Sequence, residues 1–430
     1  MRETIGEGLG APGLEETIRK VLRYSVNTWR DGFMDKLYAS TDPVGIASDL
    51  LLSVLNTNVF SPALTIIERE TAQRFANLFG FDGPYAGGIT LPGGSASNST
   101  SMIIAKNTLF LETKIHGNGD KKFVVFTSIH GHYSVEKAAI LLGLGSEAVW
   151  EIDVDKQGRM ITAELEAKVI EAKERGFTPF YVNAGAGTTV FGSYDPFDEI
   201  AEICQRHGLW LHIDGSWGGS VVFSENQKWR MKGAHKADSL TVNPHKMLGV
   251  PVTCSFLLTG DRRRFHRAVS LKAGYLFHEQ EDEDEQEVYD MAQMTMGCGR
   301  RADSLKMALG WIYYGKGGYQ RRIDHAFDMA KYFATTLEKR RGFHLVSENP
   351  PPCLQVCFFY TGTSDRLRDD AKYNTDMTRR IAAQLIAKGY MIDYSPDLTH
   401  GEFFRAVVSS TTTRETIDGL IAAIEKLGSC

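Results

Sequence analysis

Residues 209–219 read Leu209-Trp210-Leu211-His212-Ile213-Asp214-Gly215-Ser216-Trp217-Gly218-Gly219, and residues 239–251 read Ser239-Leu240-Thr241-Val242-Asn243-Pro244-His245-Lys246-Met247-Leu248-Gly249-Val250-Pro251. Each stretch opens with a short apolar run of strand length and is followed by a charged side chain, Asp214 in the first and Lys246 in the second. A carboxylate at the end of an apolar strand costs free energy unless it is paired. It either caps the next turn or answers a cation such as a protonated ring nitrogen. A lysine is ordinarily a surface charge. Between a strand and an apolar run it lies at a strand end, where α/β proteins bind their ligands. A partly desolvated amine there has a lowered pKa and can form a Schiff base.

Upstream, the same alternation of strand and helix repeats. Phe123–Phe126, Val149–Ile152 and Phe180–Asn183 read as strands, separated by helices over 132–142, 162–175 and 197–207. Cys254–Leu258 follows as a further strand. Short apolar strands separated by helices predict a mainly parallel sheet covered on both faces. Helices are predicted over 14–29, 46–56, 64–79 and 98–111 from apolar residues at helical spacing. Beyond about residue 300 the rhythm changes. A long helical stretch (303–340) precedes the strand Cys357–Tyr360, a helix over 374–388, the strand Phe404–Val408 and a last helix over 413–427. The division expected is an N-terminal arm and helix (1–45), a large α/β domain (46–310) and a smaller α+β C-terminal domain (311–430).

Two further segments carry possible chemistry. In Pro92-Gly93-Gly94-Ser95-Ala96-Ser97-Asn98, small residues let the backbone approach an anion, and the helix that follows offers free N–H groups and the positive end of its dipole. Read alone, it is equally an ordinary turn. His130-Gly131-His132 places a histidine just past a strand, either to stack on a flat ring or as an ordinary polar residue. The chain contains no Gly-x-x-x-x-Gly-Lys-Ser/Thr loop, no His-Glu-x-x-His and no Gly-x-Ser-x-Gly. This lowers the expectation of nucleotide hydrolysis, zinc proteolysis or serine hydrolysis.

A small-residue phosphate cradle, a histidine, a strand-end aspartate and the lysine of Asn243-Pro244-His245-Lys246, in that order, resemble the pyridoxal-phosphate-dependent group II amino-acid decarboxylases. The resemblance is closest to their glutamate and cysteine-sulfinate decarboxylase branch, through Leu55–Asn58, Ala186–Gly192, Trp217–Gly219, Cys298–Arg300 and Phe403–Arg405. It implies the aspartate-aminotransferase-like (fold-type I) architecture, with a seven-stranded central sheet, a homodimer and pyridoxal 5'-phosphate as cofactor. By the same resemblance Lys246 would bond the cofactor, Asp214 would pair with its ring nitrogen and His132 would stack on the ring. Ala96, Ser97, Asn243 and His245 would hold the phosphate, with Thr188 and Ser216 also on the cofactor. Tyr275, in Gly274-Tyr275-Leu276-Phe277, would return a proton to the substrate carbon. Arg405, Lys36 and Tyr38 would reach the substrate.

The implied reaction is removal of CO2 from a small, acidic L-amino acid: glutamate, aspartate or cysteine sulfinate. Another carbanion reaction of the same fold (decarboxylative condensation, transamination, oxidative deamination) is an alternative, as is an impaired relative serving as a binding partner. Three positions depart from the family pattern. Arg30-Asp31 stands where His-Pro is usual, Asn58–Pro62 is shorter than its counterpart, and Asp214-Gly215-Ser216 replaces Asp-Ala-Ala.

The remaining expectations come from composition. The 430 residues are 43% hydrophobic and 23% charged with a net charge of −5, which argues against a disordered chain and against general nucleic-acid binding. The N-terminus lacks the apolar core of a secretory signal, and no run of about 20 apolar residues offers a membrane span. Six dispersed cysteines form no metal-ligand cluster and read as free thiols, so a cytoplasmic protein without a metal is expected. Asn98-Ser99-Thr100 matches a glycosylation sequon and is taken as chance. The acidic run Glu279–Glu287 reads as a solvated segment.

Overall fold

The computed structural model describes residues 8–59, 61–271, 291–364 and 366–429. Its strands in chain order are β1 (Phe33–Met34), β2 (Gly87–Leu91), β3 (Phe123–Ser128), β4 (Val149–Ile152), β5 (Thr178–Gly185), β6 (Trp210–Gly215), β7 (Ser239–Val242), β8 (Ser255–Thr259), β9 (Phe343–Leu345), β10 (Gln355–Tyr360), β11 (Met391–Asp397) and β12 (Gly401–Val407).

Seven of them form one sheet in the order β2-β8-β7-β6-β5-β3-β4. From β7 to β4 every pairing is parallel, and β8 runs antiparallel to both of its neighbours. The mainly parallel seven-stranded sheet is as expected. β3 is buried at every position and β5 and β6 at nearly every one, because helices cover both faces. Apolar residues such as Phe126, Val182 and Leu211 therefore face one core and Phe123, Tyr181 and Trp210 the other.

The second sheet has the order β1-β11-β12-β10-β9 and is antiparallel except where β1 joins β11. Phe33–Met34 of the N-terminal segment thus completes the sheet of the C-terminal unit. The boundary expected at 310 falls inside the helical stretch Ser304–Glu338, close to a break at Gly315 (φ 61°, ψ 178°). A residue without a Cβ takes that conformation with little strain.

Several element bounds differ from expectation for local reasons. The helix expected to start at 98 begins at Gly94, so the small residues form its first turn instead of a loop before it. The helix expected over 14–29 spans Gly10–Tyr24 and stops where Ser25 turns extended (φ −81°, ψ 146°). β2, β9 and β11 had no strand signal. β2 opens with two glycines, β9 is three residues long, and β11 carries Asp393, Ser395 and Pro396. Partner strands override those weak local preferences.

Candidate active site

The candidate groups of the large sheet lie at or past the C-terminal ends of parallel strands. Asp214 is the next-to-last residue of β6, Asn243–Lys246 follows β7, His130–His132 follows β3, and Thr188 follows β5. His132, Thr188, Asp214, Ser216, Asn243, His245 and Lys246 line one cavity of about 240 Å³, together with Gly94, Ser95 and Asn98. Seven predicted residues scattered over the sequence are thereby brought together.

Lys246 is deeply buried, and burial holds its amine below the usual lysine range against the opposing charge of Asp214. Burial pushes Asp214 the other way. The bonds it accepts and the charges of Lys246 and His132 outweigh that, leaving the carboxyl below the ordinary aspartate range and therefore ionised. The bonds are Ser216 N–H to Oδ1 at 3.0 Å and Asn98 Nδ2 to Oδ2 at 2.7 Å. Burial lowers the His132 pKa, with Asp214 opposing, and its Nδ1 lies 2.8 Å from Ser134 Oγ.

At the other end of the cavity the helix Gly94–Leu109 presents its N-terminus. A Cβ on Gly94 would lie 2.5 Å from Ser216 Oγ and 2.9 Å from Asn243 Nδ2, so only glycine leaves the cradle open. Asn243 Oδ1 is buried there without a hydrogen-bond partner, a mark of a site that receives a polar group. Ala96 and Ser97 are placed differently from their neighbours. Ala96 packs against the core, and the Ser97 hydroxyl turns inward to Ser255 Oγ at 2.8 Å. The first N–H groups of a helix have no intrahelical acceptor, so the backbone is what this turn offers a phosphate. His245 Nδ1 faces the backbone of Cys254, 2.7 Å from its carbonyl oxygen, and the Thr188 hydroxyl lies 2.8 Å from Ser193 Oγ.

Lys36 and Tyr38 line a crevice that also contains Lys246. Arg405, buried, donates to Thr189 O (3.1 Å), Asp35 O (2.9 Å) and Asp393 Oδ2 (2.8 Å). Lys36 Nζ also reaches Asp393 Oδ2, at 3.2 Å. Asp393 sits opposite Arg405 in the β11–β12 register and was missed in the sequence, because nothing marks β11 as a strand. His212 and Ser134 were missed as well; a histidine inside an apolar strand was the one available signal for the first. Tyr275 and the acidic run Glu279–Glu287 lie outside the described residues.

The buried lysine, the ionised strand-end carboxylate and the helix N-terminus around one cavity fit pyridoxal 5'-phosphate. On this sheet order they define the fold-type I class of enzymes that use it. Residues 9–361 match the pyridoxal-dependent decarboxylase conserved domain, and the chain belongs to that family of carboxy-lyases. An L-aspartate decarboxylase of Metarhizium robertsii is 50% identical over 426 residues, covering 98% of this chain and 84% of the relative. A glutamate decarboxylase-like protein of Gibberella zeae is 36% identical, covering 98% and 88%. The crystal structure of mouse CSAD, cysteine sulfinic acid decarboxylase, superposes with a TM-score of 0.90 at 35% identity, covering 97% of this chain and 88% of that one.

Proposed function

We propose that this chain removes the α-carboxylate of a short acidic L-amino acid, L-aspartate before glutamate or cysteine sulfinate, releasing CO2 and the amine. The observation that carries the reading is the crevice where Lys36 and Tyr38 meet Lys246, with Arg405 anchored behind it. The likeness to an L-aspartate decarboxylase along nearly the whole chain supports the shorter substrate.

The bound cofactor supplies an electron sink for the pair of electrons left when CO2 departs. Lys246 would bond it, since the lowered basicity of this amine keeps a larger share of it unprotonated and nucleophilic. Ionised Asp214 would hold a proton on the ring nitrogen, and His132 would lie over the ring. The helix turn at Gly94–Ala96, with Asn243 and Ser216 beside it, receives the phosphate. Ser97 supports that turn from behind through Ser255, and His245 and Thr188 shape the wall. Lys36 takes the side-chain carboxylate. Arg405 takes a substrate carboxylate only by releasing Asp393, which Lys36 already shares. Tyr275 delivers the proton that replaces CO2 on the α-carbon.

The working form is a homodimer. The helix Gly10–Tyr24 buries no residue, leaving Leu14, Ile18, Val21 and Leu22 exposed. Leu50 and Val54 of the helix Pro43–Leu55 are uncovered too. Among the described residues no helix is long and apolar enough to cross a membrane. Five described cysteines are free, which suits the cytoplasm.

Release of CO2 from the holoenzyme, compared across amino acids, tests the reading. The expected result is a kcat/KM for L-aspartate at least about tenfold above that for glutamate, one extra methylene being worth about 10–200-fold. Faster release from an aromatic amino acid would overturn it.

A further inference from the structure

Asn98, the sequon asparagine, is buried and 1% exposed, and both hydrogens of its amide are donated, so it presents no group for a glycan. One goes to Asp214 Oδ2 at 2.7 Å and the other to Ser134 Oγ at 2.9 Å. A carboxylate accepts and cannot donate, so the NH2 must face Asp214. Oδ1 then faces His212 Nε2 at 3.1 Å, which must carry the proton. The far side of that imidazole agrees. Ser239 Oγ accepts from Trp210 Nε1 at 2.8 Å and lies 2.8 Å from His212 Nδ1, a far shorter contact for its one proton than Ser101 Oγ at 3.5 Å, so it donates to Nδ1. Burial holds His212 down to about 4, so it is neutral and keeps this single tautomer.

The other branch runs to His132. Ser134 N–H donates to His132 Nδ1 at 3.2 Å, which makes Nδ1 an acceptor, so Ser134 Oγ, which accepts from Asn98 and lies 2.8 Å from Nδ1, gives its own proton to it as well. The neutral His132 ring thus carries its proton on Nε2. One buried amide connects the carboxylate that meets the cofactor nitrogen with the imidazole expected over the cofactor ring.

We propose that Asn98 is a positioning residue: it holds the Asp214 carboxylate aimed at the cofactor nitrogen and, through the Ser134 hydroxyl, reinforces the Nε2-protonated tautomer of His132. The proposal rests on the reading of the cavity as the pyridoxal-phosphate site. Its strength comes from the partner being charged, since hydrogen bonds to ionised groups are about twice as strong as neutral ones. The groups facing Asp214 are Lys246, His132, His212 and Tyr181, and the first two also favour its ionised form.

The test compares holo wild type, Asn98→Leu and Asn98→Asp by cofactor dissociation constant and by visible absorbance, each across pH, with thermal melting as the check on folding. Leucine keeps the shape and loses both donors, so cofactor affinity should fall about tenfold or more at every pH. Aspartate keeps the shape and puts a second carboxylate against Asp214. Two such groups share one proton. While that proton is present Asn98→Asp still donates to Asp214, so its cofactor affinity should approach wild type at acid pH. As pH rises and the proton leaves, affinity should fall by tenfold or more, a dependence that wild type lacks.

Wild-type affinity and absorbance profiles in both variants would overturn the proposal. So would an equal, pH-independent loss in both, the mark of a merely structural role. If leucine prevents folding, the aspartate profile decides alone. Absence of a cofactor band in wild type would instead overturn the reading of the cavity.

Discussion

At the scale of single residues, the site depends on polar groups whose charge is set by burial and by which hydrogen bonds they accept. Asp214 and Asp195 are both buried, and they end in opposite states. Asp214 accepts from Ser216 and Asn98, has Lys246 beside it, and stays ionised. Asp195 accepts from Met160 N at 2.7 Å and Gly185 N at 2.6 Å, yet burial still raises it from 3.8 to about 6. Gly185 ends β5 and pairs with Asp214 across the sheet, so Asp195 braces the floor of the site.

The raised pKa means the folded protein binds this proton more tightly than the unfolded chain does. The stabilisation is complete below the unfolded value and lost as pH rises through about 6. Asp195→Asn cannot titrate. The unfolding free energy of wild type relative to the variant, read from urea melts, should therefore fall by an amount on the order of 3 kcal/mol as pH is raised from 4 to 7. A constant difference would show that Asp195 does not change protonation on folding.

Residues of this kind divide by how visible they are in the sequence. Lys246 and Asp214 stand out because a charge after an apolar strand needs a reason. Asn98, Ser134, His212 and Asp393 do not, because their roles come from neighbours more than ten residues away along the chain or on strands without a signal. The N–H groups of Asn98 and Ser216 that bind Asp214 cannot be ranked until the fold has brought them together.

At the scale of elements, the central strands were legible because burial on both faces makes them continuous apolar runs. β4 at one edge was legible too, but β2 at the other edge was not. β2 is held by pairing with β8 and by the buried Glu68 side chain, which accepts from Thr90 N at 2.9 Å and pairs with the shielded side chain of Arg300 at 2.9 Å. Arg300, in the family-like segment Cys298–Arg300, thus clamps a strand to the helix Pro62–Leu78.

The helix Gly10–Tyr24 was legible as amphipathic, and the structure leaves its stripe uncovered. Its partner is expected to be a second copy of the chain. Light scattering of active protein should give the mass of two chains. Leu14→Asp combined with Ile18→Asp should shift it toward one by removing apolar contact worth about 1.5–3 kcal/mol per buried side chain. An active wild-type monomer would contradict this.

At the scale of the whole molecule, a mainly parallel sheet brings four strand ends to one cavity, and the smaller sheet, completed by β1, places Lys36 in the crevice that shares Lys246 and Arg405 on the carbonyl of Thr189 in the cavity wall. The central claim is that this cavity exists to hold pyridoxal 5'-phosphate on Lys246. The most direct measurement is borohydride reduction of the holoenzyme followed by peptide mapping, with Lys246→Ala treated in parallel. The account predicts one pyridoxyl adduct per chain, on Lys246, and none in the variant. An adduct on another lysine, or equal labelling of the variant, would contradict it.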